Sequence, residues 1–302
     1  MQITRRHFLA SAAAASLAPR QLWASTQVSL GDMMLTSLSD GNLILPGSFI
    51  LGGMPEAEVG EIMSGLGLPT DKIEPPCNVT LLRSGDRLVL FDVGAGPDFQ
   101  PSAGKLAQAM EALSLSPDQI TDVVFTHAHP DHLWGLLDEF DEPVFANATH
   151  HIGQVEFEYW TDANTVATIG AERTTFAVGA ARRLATMADR FQFFRDGEEI
   201  IAGIAARATL GHTPGHMSFE LRSGSNSMLV VGDALGNHHV AFARPAWVGN
   251  SDQDGALAAK TRVGLLDQLA QDQMLLIGYH LPEGGIGRAE RSGDSYRFVA
   301  GA

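Results

Sequence analysis

The sequence predicts an α/β fold, read as one domain from about residue 25 to residue 302. Three observations carry that reading. Short apolar runs pair across Gly, Asp, Asn and Ser turns, segments with helical spacing alternate with them, and histidines and aspartates stand directly after the β-rich runs. In chain order, residues 33–38 and 43–45 read as strands around the turn Ser39-Asp40-Gly41-Asn42. Residues 78–82 and 88–91 read as a hairpin around Ser84-Gly85-Asp86. Residues 105–113 have helical spacing, with Leu106, Met110 and Leu113 on one face, and Ser116-Pro117-Asp118 opens a turn. Residues 122–126 form a strand that ends at a histidine cluster, and 150–190 read as mostly helical. Strands at 217–221 and 228–231 flank a Gly/Ser turn. A helix over 254–270 turns Leu257, Leu265, Leu266 and Leu269 inward, and 274–279 is the last buried strand. His127, Asp233 and His280 each follow such a run, so rigid backbone holds each of them.

Composition narrows the function classes. The 302 residues are 45% hydrophobic and 18% charged, which suits a chain with a substantial core and not a disordered one. The formal net charge of -15 argues against a nucleic-acid partner, which needs a basic footprint, and against docking on anionic lipid. Cys77 is the only cysteine, so neither an intramolecular disulfide nor a thiolate cluster can form, and a metal site would have to use nitrogen and oxygen ligands. Within Pro75-Pro76-Cys77-Asn78 it reads as a small, partly buried side chain.

Residues 1–24 read as an export signal. Thr4-Arg5-Arg6-His7-Phe8-Leu9 precedes an alanine-rich apolar run to Ala18, and Ala24 offers a cleavage point. The run is too short for a membrane anchor, and the paired arginines resemble a twin-arginine signal. The expectation is a bacterial protein sent to the periplasm or secreted, without stable membrane anchoring. A homodimer is left open.

The chemistry concentrates in Thr126-His127-Ala128-His129-Pro130-Asp131-His132. Three imidazoles and a carboxylate stand within six residues. Imidazole nitrogen and carboxylate oxygen suit zinc, and also iron, manganese or cobalt. Side chains this close cannot all serve one ion in good geometry, so the run suggests two adjacent ions; Pro130 stiffens the loop. Further along, Gly211-His212-Thr213-Pro214-Gly215-His216, Val231-Gly232-Asp233 and Gly278-Tyr279-His280 supply more candidates. His212 and His216 compete for one role. A carboxylate can span two cations, whereas a neutral imidazole binds one.

Taken together these motifs resemble the metallo-β-lactamase superfamily, in its order and over nearly the whole chain beyond the signal. Leu30-Gly31-Asp32 with Ser39-Asp40-Gly41, and His280-Leu281 with Gly285-Ile286-Gly287 and Tyr296-Arg297-Phe298, are similar to its methyl parathion hydrolase and quorum-quenching lactonase branch. The resemblance implies an αββα sandwich, two mixed sheets face to face with helices outside. It implies that His127, His129 and His212 bind a first metal, that Asp131, His132 and His280 bind a second, and that Asp233 bridges them. It selects His212 over His216, and makes Asp92 an orienting residue. Two divalent ions, zinc foremost, would acidify a shared water, with Asp131 and Asp233 as the catalytic carboxylates.

The implied function is hydrolysis of a small, mostly apolar lactone or carboxylic ester, acyl-homoserine lactones being favoured. The alternatives are a phosphotriesterase of methyl parathion hydrolase type and a mono-iron persulfide dioxygenase-like oxidoreductase. His238, Tyr159, Trp160, Phe242 and Trp247 are the candidate substrate-pocket residues. His150 and His151 read as surface residues or a helix start.

Overall fold

The computed structural model describes residues 26–301. The expected export signal at 1–24 lies outside the described residues. The chain lays down one sheet and then the other, and in each the spatial order of strands follows the sequence.

The first sheet holds β1 (Gln27–Leu30), β2 (Met33–Asn42), β3 (Pro76–Ser84), β4 (Arg87–Phe91), β5 (Asp122–Val124), β6 (Thr149–Gly153) and β7 (Phe191–Phe194). β1 to β4 pair antiparallel, and β4 to β7 are parallel neighbours. The second sheet holds β8 (Glu199–Ile201), β9 (Ile204–Ala208), β10 (Met217–Ser223), β11 (Asn226–Gly232), β12 (Leu275–Gly278), β13 (Ile286–Ser292) and β14 (Ser295–Ala300). Every neighbouring pair in it is antiparallel except β11 with β12.

The period-2 geometry of strands explains the layering. Successive side chains point to opposite faces, and here both faces are apolar. Leu82, Val89, Phe91 and Val124 meet Phe219, Met228, Val230 and Ile277 between the sheets. Their neighbours Leu81, Leu88, Leu90 and Val123 face outward onto Trp160, Ala177 and Leu184 of the helical layer. Leu229 and Val231 face the helix Gly255–Asp272 through Leu265, Leu266 and Leu269. Each fully buried large apolar side chain contributes about 1.5–3 kcal/mol. The result is the expected four-layer α/β sandwich.

Several local readings change. The turn expected at 39–42 is part of β2, which runs on through a register irregularity between Ser39 and Asn42. Gly41 there has φ 95°, and a Cβ would meet the Ser102 carbonyl oxygen at 2.1 Å. This bulge turns Asp40 inward, where its carboxylate accepts from the amides of Ala95, Gly104 and Leu106 at 2.8, 3.1 and 2.7 Å. The region 150–190 opens with strand β6 before its helices, so His150 and His151 are buried strand residues, not surface ones. His150 packs edge-on to Phe191, and His151 Nε2 lies 3.1 Å from Asp122 Oδ1 on the adjoining strand. Two more strands, β13 and β14, follow the one read as last; Arg288, Glu290, Arg291 and Arg297 punctuate them and mask their apolar face. Leu257 is only half-buried, because Ala258, Ala259 and Arg262 take that part of the inner face. Cys77 is completely buried, not partly. Among the described residues no helix is long and apolar enough to cross a membrane.

Candidate metal centre

Parallel strand pairs create the site. In both sheets, the C-terminal ends of parallel strands release side chains to the same place: Asp92 after β4, His127 after β5, Asp233 after β11 and His280 after β12. His129 and Asp131 come from the short helical turn that Pro130 opens, with His129 as its N-terminal flank. His212 comes from the loop between β9 and β10. Gly211 permits that loop: its φ is 122°, and a Cβ would meet the Ala258 amide nitrogen at 2.2 Å.

All seven predicted ligands are buried and converge. His129 Nδ1 lies 3.0 Å from His127 Nε2 and 2.9 Å from His212 Nε2. Asp233 Oδ2 lies 3.3 Å from His212 Nε2. On the other side, Asp131 Oδ2 is 3.4 Å from His132 Nε2 and 3.2 Å from His280 Nε2. Asp233 reaches that group too, at 3.3 Å from both imidazoles. Asp233 is thus common to two clusters.

In three of the imidazoles the outward nitrogen is held as metal-binding imidazoles require. His132 Nδ1 donates to Asp92 Oδ2 at 2.8 Å, His212 Nδ1 to Asp252 Oδ1 at 3.0 Å, and His280 Nδ1 to the Pro76 carbonyl at 2.8 Å. Asp92 therefore orients the His132 ring. His216 is occupied elsewhere: its Nε2 accepts from the Asp233 amide at 3.0 Å, so its Nδ1 carries the proton and donates to Thr209 Oγ1 at 2.8 Å.

A divalent cation fits these residues. Asp131 Oδ2, His132 Nε2 and Asp233 Oδ1 are buried with no hydrogen-bond partner. A buried polar atom left unpaired costs about 1–3 kcal/mol, and three such atoms converge here. The protonation preferences agree. Burial, reinforced by neighbouring imidazoles, holds His127 and His129 well below the usual histidine range. Burial also disfavours charge on His132 and His280, but the carboxylates of Asp233 and Asp131 outweigh it and raise both well above that range. Two carboxylates thus demand positive charge at a point where only protons or cations can supply it. The Cys77 sulfur also lies near Asp131 and His280, but burial pushes its thiol up to about 12.

Sequence reasoning missed two carboxylates. Glu156, on the helix Gln154–Thr161, is 1% exposed and accepts from the Ala128 amide, Trp160 Nε1, Thr213 Oγ1 and the Gly215 amide at 2.9, 2.6, 2.7 and 3.0 Å. It ties the 127–132 loop to the 211–216 loop. Asp252 orients His212 and pairs with Arg262 at 2.7 Å. Neither stands in a motif, so only the tertiary fold reveals it.

The cavity over the centre is lined by apolar Leu43, Leu45, Phe49, Ile50, Phe99 and Phe176, and by polar Arg173, Asn237, Ser251 and Arg262. None of the five expected pocket residues lines it. Trp160 is fully buried beside His129, ring centroids 5.7 Å apart, and Phe242 is fully buried in the core under β14. Tyr159 packs on the outer helical core and Trp247 on a small cluster with Val59 and Met63. His238 lines a neighbouring cavity that shares Asn237 and His280 with this one.

Fold and centre together define an α/β protein whose buried His/Asp groups suit divalent cations. The chain belongs to the metallo-β-lactamase superfamily, whose family description it matches over residues 73–280. Among curated proteins it is similar to the probable metallo-hydrolase YqjP of Bacillus subtilis (strain 168), 38% identical over 66 residues. That match spans 22% of this chain and only 20% of YqjP. Among solved structures it is similar to the hydrolase AbOPH of the beta lactamase superfamily, with 27% identity, TM-score 0.86, and coverage of 94% of this chain and 99% of that one. AidC, a dizinc quorum-quenching lactonase in complex with the product N-hexanoyl-L-homoserine, shares the fold at 23% identity, TM-score 0.86, and coverage of 92% and 98%. The Bacillus thuringiensis AiiA shares it more loosely, at 16% identity, TM-score 0.60, and coverage of 85% and 95%.

Proposed function

We propose that this protein is a dinuclear metal-dependent hydrolase that opens lactones or cleaves carboxylic esters, with acyl-homoserine lactones as the favoured substrates, and that it acts after export from a bacterial cell. The observation that carries the reading is the division of seven buried ligands into two clusters sharing Asp233, at the base of a cavity with an apolar wall. His127, His129 and His212 would hold one ion, Asp131, His132 and His280 the other. Nitrogen and oxygen donors of this kind favour zinc.

When bound, divalent cations acidify water and polarise a carbonyl or phosphoryl oxygen. The chain's own residues do the rest. Asp131 presents a carboxylate oxygen without a hydrogen-bond partner, which can orient the attacking water and accept its proton. The Tyr279 hydroxyl donates to the Asp131 carbonyl at 2.5 Å and fixes that residue. Leu43, Leu45 and Phe49 exclude water and accept the apolar part of the substrate. A mono-ion oxidoreductase would use one cluster only, and the second, equally buried, argues for the dinuclear reading.

The test is turnover by metal-reconstituted and EDTA-stripped protein of acyl-homoserine lactones, δ-lactones, aryl esters and methyl parathion. Metal-dependent lactone opening with kcat/KM above about 10⁴ M⁻¹s⁻¹ is expected. Strong phosphotriester turnover with poor lactone turnover would reassign the substrate, and one bound iron with oxygen consumption would overturn the reading.

A further inference from the structure

The cavity over the metal centre carries a cation that the ligand set does not use. Arg173 stands immediately before the helix Thr174–Thr186 and lines the cavity beside Phe49 and Phe176. Its guanidinium carbon lies 5.9 Å from the centroid of the Phe49 ring, and its Nη2 donates to the Asn250 carbonyl. Those two contacts orient the head group. Its Nε is buried and has no hydrogen-bond partner, and among the described residues no carboxylate pairs with it. The other arginine of the cavity, Arg262, also has a buried Nε without a partner, but its Nη2 is paired with Asp252 at 2.7 Å, and Arg173 has no such carboxylate. A buried N–H without an acceptor costs free energy, and an arriving acceptor would recover it. A guanidinium is a fixed, weakly hydrated donor fork matched to oxygen.

The geometry points to Arg173 as a subsite for a second oxygen acceptor of the substrate, a neutral carbonyl separate from the scissile one, as in an N-acyl side chain. This deepens the lactone reading above and rests on it. Two observations choose a neutral carbonyl over an anion. The walls beside Arg173 are apolar, with Phe49, Phe99, Phe176, Leu43, Leu45 and Ile50. The formal net charge of -15 repels anions on approach. The scissile carbonyl would sit at the Asp131 and Asp233 end of the same cavity, while the acyl chain lies along the phenylalanines.

A matched pair of lactones tests this. One is an N-acyl-homoserine lactone. The other is the α-alkyl-γ-butyrolactone of equal chain length, in which methylenes replace the amide. Parent, Arg173→Met and Arg173→Lys proteins are compared, with metal content and Tm measured on each. For Arg173→Met the expected result is a kcat/KM lower by about 10- to 100-fold on the amide substrate, carried mainly by KM, the loss typical of one charge-assisted hydrogen bond. Turnover of the alkyl lactone should stay within about threefold of the parent, and Arg173→Lys should recover part of the loss. An equal loss on both lactones, or no loss on either, overturns the subsite while leaving the hydrolase reading intact. Failure of the parent to open either lactone overturns both readings, and that outcome is visible before any variant is made.

Discussion

At the scale of single residues, Asp233 and Glu156 divide the work of the centre. Asp233 is the one carboxylate in reach of both imidazole clusters. Asp233→Asn keeps the shape but removes the charge that would face the two proposed cations. It should lose metal occupancy and turnover together, measured by metal analysis beside kinetics; an unchanged metal count and rate would reject the bridge. Glu156 touches no candidate cation, yet three donors from two loops and Trp160 of its own helix depend on it. Glu156→Ala leaves those donors unpaired in a dry interior. A stability loss of about 3 kcal/mol or more follows in chemical denaturation, and metal affinity should fall about 10- to 100-fold because the loops that aim the ligands are released. The contrast between these residues shows what the sequence made legible. His127, His129, Asp131 and His132 declare themselves because four ligand types stand within six positions. Glu156 is one acid on a helix of mixed character, and nothing within a turn of it announces four buried donors.

Elements position these residues, and the irregular ones matter most. The bulge in β2 sends Asp40 inward, where one carboxylate satisfies amides at both ends of the loop that precedes the helix Leu106–Ala112, and that of its first residue. Burial pushes the Asp40 carboxyl up to about 6, despite the backbone amides that pull the other way. An unfolded aspartate titrates near 3.9. The folded protein therefore holds this proton more tightly, so the group's contribution to stability is full below about pH 4 and lost as pH rises through 6. The expected size is on the order of 3 kcal/mol. Urea unfolding of metal-free parent and Asp40→Asn proteins between pH 4 and 6.5 checks it: the stability difference should move toward the variant as pH rises, and a pH-independent difference would refute it. The hairpin signals at 84–86 and around 224 were legible because Gly and Asp punctuate clean apolar runs. The bulge was not, since Ser39-Asp40-Gly41-Asn42 has the composition of a turn, and only pairing with β3 keeps it in the sheet. The pocket aromatics failed for a related reason. Trp160 and Phe242 are fully buried, whereas the apolar cavity wall comes from 43–50 with Phe99 and Phe176, none of them in a metal-ligand motif.

For the whole molecule, the two sheets are joined by apolar side chains between them and by the centre at their shared end. Each ligand cluster takes two residues from the first sheet's part of the chain and two from the second's: His127 and His129 with His212 and Asp233, and Asp131 and His132 with Asp233 and His280. Bound cations would therefore brace the sheets against each other. Removing them with EDTA should lower Tm by on the order of 10 °C, given cations in large excess over their dissociation constants, and scanning calorimetry with and without chelator decides it. A Tm indifferent to chelation would mean that the sandwich closes without help from its centre.

That two-and-two sharing also sets an order of events during synthesis. A ribosome that has released β1 to β7 has exposed a histidine-rich loop but no complete coordination sphere. The last ligand, His280, emerges only when the second sheet is nearly finished. The first ligand set is complete once Asp233 has emerged after β11, whereas the second waits for His280 after β12, so a product truncated before β12 would carry one complete set and one that lacks a member.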